Sequence, residues 1–250
     1  MPIEDFIKKT STHLGKTRTV YQKGTGPHVV ILPEVPGLHE QVFSLGERLT
    51  DCGYTVHLLS LFGKDGEPFR YRDAPSCLLK ACIQKEFAVL ASQRSSPIAN
   101  WVRSYCASVH QHTKKGIALI GMCLTGNFAL SMLAEPWMLA PVLCQPSLPL
   151  FPRSALHVDT KTLEDSSQKI LAMRFSHDVL CPKQRFTSLQ KKLGKRIELI
   201  EIDSSIGNPH KISPIAHSVL TKDFVDQDGH PTQVALQKTI EFLNKQLKPS

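Results

Sequence analysis

The stretch KKGIALIGMCLTGNFALSMLAE, residues 114–135, contains the features that decide the fold. Its apolar run Ile117–Ile120 is typical of a buried strand, and LTGNFALSML (124–133) has the character of a helix. Cys123 lies at the junction between the two, with a glycine on either side of it. The thiol is therefore either a small buried hydrophobic group, as most cysteines are, or a nucleophile held on a sharp turn.

This junction resembles the nucleophile elbow of α/β hydrolases, in which a strand, a tight turn that bears the nucleophile and a helix follow one another. Small residues are needed there because the strand and the helix pass close together, and Gly121 and Gly126 provide them. Thr125 occupies the position at which G-x-S-x-G has its second glycine. By the rule for this turn, the backbone N–H of Leu124 would bind an oxyanion. Taken alone, the pattern also fits a structural thiol.

Strands and helices alternate along the rest of the chain. The further strand candidates are KTRTVYQK (16–23), HVVILPE (28–34), TVHLLSLF (55–62), APVLCQPSL (140–148), KILAMRFS (169–176) and RIELIEI (196–202). Helices are predicted over 41–53, 77–112 with an interruption at 94–97, 181–194 and 231–247. This alternation predicts an α/β fold, a mostly parallel sheet with helices on both faces. No linker or repeat divides residues 1–250, so we expect a single domain.

Composition and charge argue against several function classes. The hydrophobic fraction of 41% and the charged fraction of 21% are ordinary for a soluble globular protein. The sequence lacks both an apolar run long enough to cross a membrane and the apolar core of an export signal, so we expect no membrane association and a cytoplasmic location. The net charge of +8 is spread along the chain. It fits an anionic substrate better than a nucleic-acid partner.

The cysteine pattern argues against a metal site. Seven cysteines occur, and none forms a C-x-x-C pair, so neither a disulfide framework nor a zinc site is expected. Most of these thiols should be buried core residues. We expect the protein to need no metal and no organic cofactor.

A thiol nucleophile needs a base, and the base needs an acid that orients it. In α/β hydrolases the acid and the histidine follow the nucleophile in chain order, each after a later strand. Asp178 follows the strand candidate at 169–176, where it could orient the base, cap the next helix, or do both.

The loop after the strand candidate at 196–202 contains two histidines, His210 and His217. His217 is the preferred base, because it lies just before SVLTKDF, where the loop returns toward the C-terminal helix. His210 follows Pro209 in a polar stretch that is typical of an exposed surface.

Together these segments resemble the dienelactone hydrolase family of α/β hydrolases (carboxymethylenebutenolidase-like). The matching stretches are VVILPEVPGLHEQVFSLGERLTDCGYTV, GMCLTGNFAL, FSHDVLCP and AHSVL, and with the strand order they cover most of residues 28–247. The resemblance implies an α/β-hydrolase fold and a catalytic triad of Cys123, Asp178 and His217. The elbow of the family usually reads G-x-C-x-G-G, so Thr125 departs from it.

The resemblance also assigns roles to the segment LPEVPG, 32–37. The family has a glutamate at this strand end that contacts the resting thiol and helps to form the thiolate, and Glu34 corresponds to it. The N–H of Val35 would be the second oxyanion donor, since Pro36 has no N–H. From the residues alone, Glu34 could equally be a salt-bridged or solvated carboxylate at a strand end.

The substrate is less well determined by these patterns. The best-known substrates of the family carry a carboxylate that arginines bind, but this chain has Leu220 and Thr221 where an arginine might be expected. Arg70 and Arg72 are the remaining candidates, in a loop within a region, 63–112, that could form a lid.

We therefore expect a cysteine-dependent hydrolase of ester or lactone bonds that acts through a thioester acyl-enzyme. Esters and lactones are favoured over peptides, because a thiolate attacks an amide less readily unless the leaving group is well protonated. The alternatives are a thioesterase or another acyl hydrolase, and a non-catalytic α/β-hydrolase scaffold that binds a ligand or partner. Either a monomer or a homodimer would be compatible with the sequence.

Overall fold

A computed structural model describes residues 2–69, 96–147 and 160–248 of the protein. Its eight strands are β1 (Ile7–His13), β2 (Lys16–Lys23), β3 (His28–Leu32), β4 (Thr55–Leu59), β5 (Ile117–Met122), β6 (Met138–Cys144), β7 (Ile170–Phe175) and β8 (Ile197–Ile202). The α-helices of these residues, numbered in chain order, are α1 (Glu40–Asp51), α2 (Pro97–Thr113), α3 (Leu124–Ser131), α4 (Thr160–Asp165), α5 (Lys183–Leu193) and α6 (Pro231–Leu247). Short 3-10 helices cover Pro2–Asp5 and Gly194–Arg196.

The strands form one sheet in the order β1-β2-β4-β3-β5-β6-β7-β8. The pairs β1–β2 and β2–β4 are antiparallel, and the five other neighbouring pairs are parallel. The predicted mostly parallel sheet is confirmed. Because the strands β3 to β8 run in one direction, the loops that follow them meet at a single edge of the sheet.

Two apolar layers enclose the sheet, one on each face. In β5, Leu119 packs into the layer that includes Trp101 of α2, whereas its neighbour Ile120 packs into the layer that includes Val42 of α1. All four of these side chains are almost completely buried. A strand that is apolar at successive positions is therefore a strand covered by helices on both faces.

The structure adds one strand that the sequence did not predict. The side chains of β1 are mostly exposed, so the segment has no apolar run or alternation that would mark it as a strand. It forms by pairing with β2 through a tight turn in which Leu14 and Gly15 both have positive φ, 51° and 72°. This is the geometry that two-residue hairpin turns prefer.

Two predicted boundaries also differ from the structure. The interruption predicted at 94–97 contains the start of α2, where the Ser96 hydroxyl accepts the Ala99 N–H at 2.9 Å. The predicted helical residues 77–93 lie outside the described part of the chain. The strand predicted over 140–148 ends at Cys144, because Gln145 has a φ of 38° and leaves the extended conformation. No helix within the described residues is long and apolar enough to span a bilayer.

A buried histidine lies at the centre of the sheet. His57 of β4 is 3% exposed, and its two ring nitrogens bond to His28 Nδ1 at 2.9 Å and to the Tyr105 hydroxyl at 2.7 Å. Burial lowers the pKa of His57 to about 3, with smaller contributions from the charges of His28 and Lys9. The ring is therefore neutral in the folded protein at neutral pH.

Acidification should destabilise the protein through His57. The ordinary pKa of the ring is 6.5, so between that pH and about 3 the proton binds to the unfolded chain only, and stability falls as the pH drops through this window. Each pKa unit of the difference corresponds to about 1.4 kcal/mol. His57→Gln removes this titration and should flatten the pH dependence of the urea unfolding free energy. The exposed His210→Gln is the control, and an H57Q slope equal to that of the wild type would contradict the assignment.

Candidate active site

The turn between β5 and α3 holds Cys123 in a strained backbone conformation. Its φ is 56° and its ψ is −121°, a region that residues with a side chain rarely adopt. Hydrogen bonds fix the residue on both sides. The Cys123 N–H donates to Cys144 O at 3.0 Å, and its carbonyl accepts the N–H groups of Gly126 and Ser147, each at 3.1 Å. The turn therefore has the form of the predicted elbow.

The two glycines of the elbow are required by the space available. A Cβ on Gly121 would lie 2.5 Å from the carbonyl oxygen of Thr125 and 2.9 Å from the Cα of Gly126. A Cβ on Gly126 would lie 3.0 Å from the Cβ of Pro146, a contact that is tight but less severe. Strand and helix can approach this closely because neither glycine has a side chain.

Thr125, which departs from the family pattern, contributes its hydroxyl to the same turn. The side chain is fully buried and accepts the Met122 N–H at 2.8 Å. Its proton is directed toward Leu32 O at 2.9 Å or Met122 O at 2.8 Å. The hydroxyl thus connects the ends of β3 and β5, so the departure from glycine adds a polar link to the elbow.

Asp178 and His217 meet at the same edge of the sheet. His217 Nδ1 donates to Asp178 Oδ2 at 2.7 Å, and the carboxylate is 2% exposed. Asp178 Oδ1 accepts the N–H groups of Leu180 and Cys181, at 2.9 and 3.1 Å. The N-cap of α5 is Pro182, so the alternative that Asp178 caps this helix is wrong.

The structure brings His217, and not His210, to the acid. His210 is exposed, and its ring lies 5.5 Å from that of His230. The loop that carries His217 is fixed by Asp223, whose Oδ2 accepts the backbone N–H groups of His217 and Ser218 at 2.8 and 2.9 Å.

The charge of Cys123 acts on His217, whose Nε2 atom is the ring nitrogen not bonded to Asp178. Within the described residues, the buried Nε2 has no hydrogen-bond partner of standard geometry. Burial by itself lowers the pKa of His217, but the charge of Cys123 and the hydrogen bond that His217 donates to Asp178 outweigh it and raise that pKa well above its usual range. Asp178 and Cys123 therefore both act on His217, and together they favour its protonated form.

Ser147 is a contact of the thiol that the sequence did not reveal. Its hydroxyl lies 2.8 Å from Cys123 Sγ, and its carbonyl accepts the amide of Asn127 at 2.6 Å. The residue lies three positions beyond the end of β6, in a segment with no motif to mark it. Only the folding of β6 beside β5 brings it to the sulfur.

Glu34 has partners other than those expected. Its carboxylate is 2% exposed and receives hydrogen bonds from four side chains, His39, Gln145, Ser218 and Thr221. Among the described residues none of these bonds goes to Cys123. The family resemblance implied that Glu34 contacts the resting thiol, but in the described part of the chain no hydrogen bond of this carboxylate goes to it. The thiol is instead contacted by the Ser147 hydroxyl.

The backbone N–H groups of Leu124 and Val35 are the predicted oxyanion donors. Leu124 is the first residue of α3, so its N–H has no acceptor within the helix and lies at the positive end of the helix dipole. The parallel register Leu32–Gly121 aligns β3 with β5, and Val35 packs against the same apolar layer as Cys123. The two predicted donors thus follow Cys123 and the neighbouring strand β3, respectively.

Buried arginines hold the loop that carries Asp178. Arg174 of β7 donates from Nε to Cys181 O at 2.7 Å and pairs with Glu201 on β8. Arg185 of α5 donates to Leu180 O in this loop at 3.3 Å, and to Pro146 O in the segment after β6 at 2.7 Å. Both side chains are almost fully buried, so they serve the frame of the site and do not face solvent. The substrate-binding candidates Arg70 and Arg72, and most of the possible lid, lie outside the described residues.

Three of the other described cysteines differ from Cys123 in their burial. Cys106, Cys144 and Cys181 are completely buried, and burial raises the pKa of each thiol. Cys123 is partly exposed. Across residues 2–69, 96–147 and 160–248, no group of three or more His, Cys, Asp or Glu side chains could hold a metal ion.

Comparison with known proteins gives one family. A sequence model of the dienelactone hydrolase family matches residues 16–247. No curated protein matches the chain.

Solved structures resemble the whole chain. A dienelactone hydrolase-like promiscuous phosphotriesterase from metagenomic libraries gives a TM-score of 0.68 at 14% identity, covering 96% of this chain and 98% of its own. Dienelactone hydrolase from Anabaena variabilis gives 0.64 at 12% identity, with coverages of 97% and 98%. An α/β serine hydrolase without a lid from Xanthomonas campestris gives 0.61 at 12% identity, with coverages of 98% and 96%. At such identities these structures show the fold alone, and that fold is the predicted α/β-hydrolase fold.

Removal of the Thr125 hydroxyl should destabilise the elbow. Thr125→Val leaves the buried Met122 N–H without its acceptor, and we expect the free energy of unfolding to fall by about 1–3 kcal/mol in urea titrations. Thr125→Ser keeps the hydroxyl and should lose much less. Thr239→Val is the matched control, because that buried hydroxyl donates to Ala235 O, one turn earlier in the same helix, and within the described residues connects no other element. Equal losses in T125V and T239V would contradict the role of the hydroxyl.

Proposed function

Because the chain belongs to the dienelactone hydrolase family, we propose that it hydrolyses ester or lactone bonds with Cys123 as its nucleophile. The observation that carries this proposal is the buried Asp178–His217 pair coupled to a thiol on a strained elbow. The three residue types match the requirements of covalent catalysis, which are a nucleophile, a base and a group that orients the base. Their order along the chain is also that of the fold.

The first half of the proposed reaction forms a thioester. His217 Nε2 takes the proton of Cys123, and Asp178 stabilises the resulting imidazolium through Nδ1. The sulfur then attacks the carbonyl carbon, and the N–H groups of Leu124 and Val35 stabilise the oxyanion. When the tetrahedral intermediate collapses, the C–O bond of the ester breaks, and His217 gives its proton to the departing alkoxide.

The second half releases the acid. His217 removes a proton from water, and the hydroxide attacks the thioester carbonyl at the same oxyanion site. The C–S bond breaks, the carboxylic acid leaves, and His217 returns its proton to the sulfur, which restores the resting thiol. Esters and lactones suit this chemistry better than amides, because an alkoxide or enolate leaves more readily than an amide nitrogen.

The substrate we propose is a small ester or lactone, with no nucleic-acid or membrane partner. The net charge of +8 favours the approach of an anionic molecule. Within the described residues, however, the position where an arginine was sought is filled by the buried Thr221, which is bonded to Glu34. The net charge therefore supports a general attraction of anionic substrates to the protein surface more than a specific arginine contact with a substrate carboxylate.

Loss of the thiol should abolish turnover. We expect Cys123→Ala to reduce kcat/KM for p-nitrophenyl acetate and for an enol lactone by roughly a thousandfold or more, measured by absorbance. A control variant, Cys52→Ala, changes another partly exposed cysteine and should keep wild-type activity. Hydrolysis that survives in C123A would contradict the nucleophile.

The two histidines of the loop after β8 provide a matched pair for the base. His217→Ala should lower kcat by roughly a thousandfold, because the proton acceptor is lost. His210→Ala removes an exposed ring and should leave kcat unchanged. Mass spectrometry of the acylated protein adds a second measurement, since H217A should accumulate less thioester at Cys123 than the wild type. The opposite ranking of the two variants would assign the base to His210.

A further inference from the structure

The buried carboxylate of Glu34 joins segments that carry different parts of the site. Glu34 immediately precedes Val35, one of the proposed oxyanion donors, and it lies just beyond the end of β3. Ser218 donates to its Oε2 at 2.5 Å, and Thr221 donates to its Oε1. Ser218 immediately follows His217, so the loop of the base is bound to the loop of the oxyanion donor.

The same carboxylate also reaches the segment after β6. Gln145 Nε2 donates to Glu34 Oε2 at 3.2 Å, while Gln145 Oε1 accepts the Val219 N–H at 3.4 Å. His39, next to the first turn of α1, donates to Oε1 at 3.2 Å. Gln145 lies two residues before Ser147, whose hydroxyl contacts the nucleophile. Three loops of the site therefore meet on one side chain.

We infer that Glu34 is a positioning residue, an anionic clamp that holds His217 and the Val35 N–H in place, and not a proton partner of Cys123. We call the set of Glu34, His39, Gln145, Ser218 and Thr221 the Glu34 clamp. This inference rests on the proposed function only in its kinetic test, which measures ester turnover. It differs from the role that the family resemblance implied, because the carboxylate oxygens are engaged elsewhere.

The environment of the carboxylate agrees with a permanent anion. Burial alone raises the pKa of Glu34, but the hydrogen bonds and charge of His39, together with the hydroxyls of Ser218 and Thr221, outweigh burial and lower it. Two bonds fall on each oxygen, which uses most of the acceptor capacity of a carboxylate. Because Glu34 stays ionised and accepts four hydrogen bonds, it holds its donors in place and has no free lone pair to accept a proton from the thiol.

The loss of any one donor should loosen the clamp. A buried carboxylate that loses a hydrogen bond is left partly unsatisfied, and the loop that supplied the donor loses its anchor. Displacements of about 1 Å at a catalytic group can cost up to a hundredfold in rate. The effect should appear in kcat more than in KM, since the clamp touches the base and the oxyanion donor and not the bound ester.

The test compares a charged member of the clamp with its neutral members. Glu34→Gln, Ser218→Ala and Thr221→Val should each lower kcat roughly 10- to 100-fold with KM changed less than about threefold. The double variant E34Q/T221V should lose no more than E34Q alone, because both changes break one unit. Thr239→Val is the matched control, a buried threonine hydroxyl on α6 that should keep wild-type kcat. If Glu34 instead exchanges a proton with the thiol, only E34Q loses activity, and the clamp is overturned.

A second measurement does not depend on turnover. Amide hydrogen exchange over residues 216–222 should be at least several-fold faster in E34Q and T221V than in the wild type, and unchanged in T239V. Unaltered exchange in E34Q would overturn the clamp even if kcat fell. Ester hydrolysis that survives in C123A would instead overturn the proposed nucleophile, and the exchange experiment would still decide the clamp.

Discussion

Close packing of β5 against α3 is the constraint on which the rest of the structure depends. A methyl group at Gly121 would come within 2.5 Å of a backbone oxygen, so the two elements can meet only at a residue without a side chain. That approach forces Cys123 into a left-handed conformation, with a φ of 56°, and directs its sulfur toward the edge where the strands end. The strain persists because the surrounding hydrogen bonds over-determine the turn.

Buried ionic groups then fix the loops that face this sulfur. Asp178 holds the imidazole of His217, and Glu34 joins the histidine loop to the end of β3. Arg174 and Arg185 donate to carbonyl oxygens of the Asp178 loop. Each of these charges is costly to remove from water, and each is compensated by bonds to backbone or side-chain partners. The net gain in stability from such groups is small, and their benefit is that loops on a rigid sheet acquire one defined geometry.

The sequence predicted the parts of this arrangement that depend on local patterns. Buried parallel strands are continuous apolar runs, and the elbow has a glycine on each side of its cysteine, so β3 to β8 and Cys123 could be located. Asp178 and His217 followed from chain order. β1 was missed because an exposed edge strand has no apolar pattern. The partners of Glu34 were missed because a bond from Ser218 or Thr221 to residue 34 spans more than 180 positions, and no periodicity encodes that contact. Thr125 could be recognised as a departure, but its bridging hydroxyl is visible only in three dimensions.

The geometry of the elbow also bears on which side chains position 123 can accept. Its tight contacts are made by Gly121, Thr125, Gly126 and the backbone of residue 123, so the frame is indifferent to which atom the central side chain presents. The serine hydrolase of Xanthomonas campestris shares the fold at 12% identity. Serine could therefore replace Cys123 without changing the backbone contacts that shape this turn.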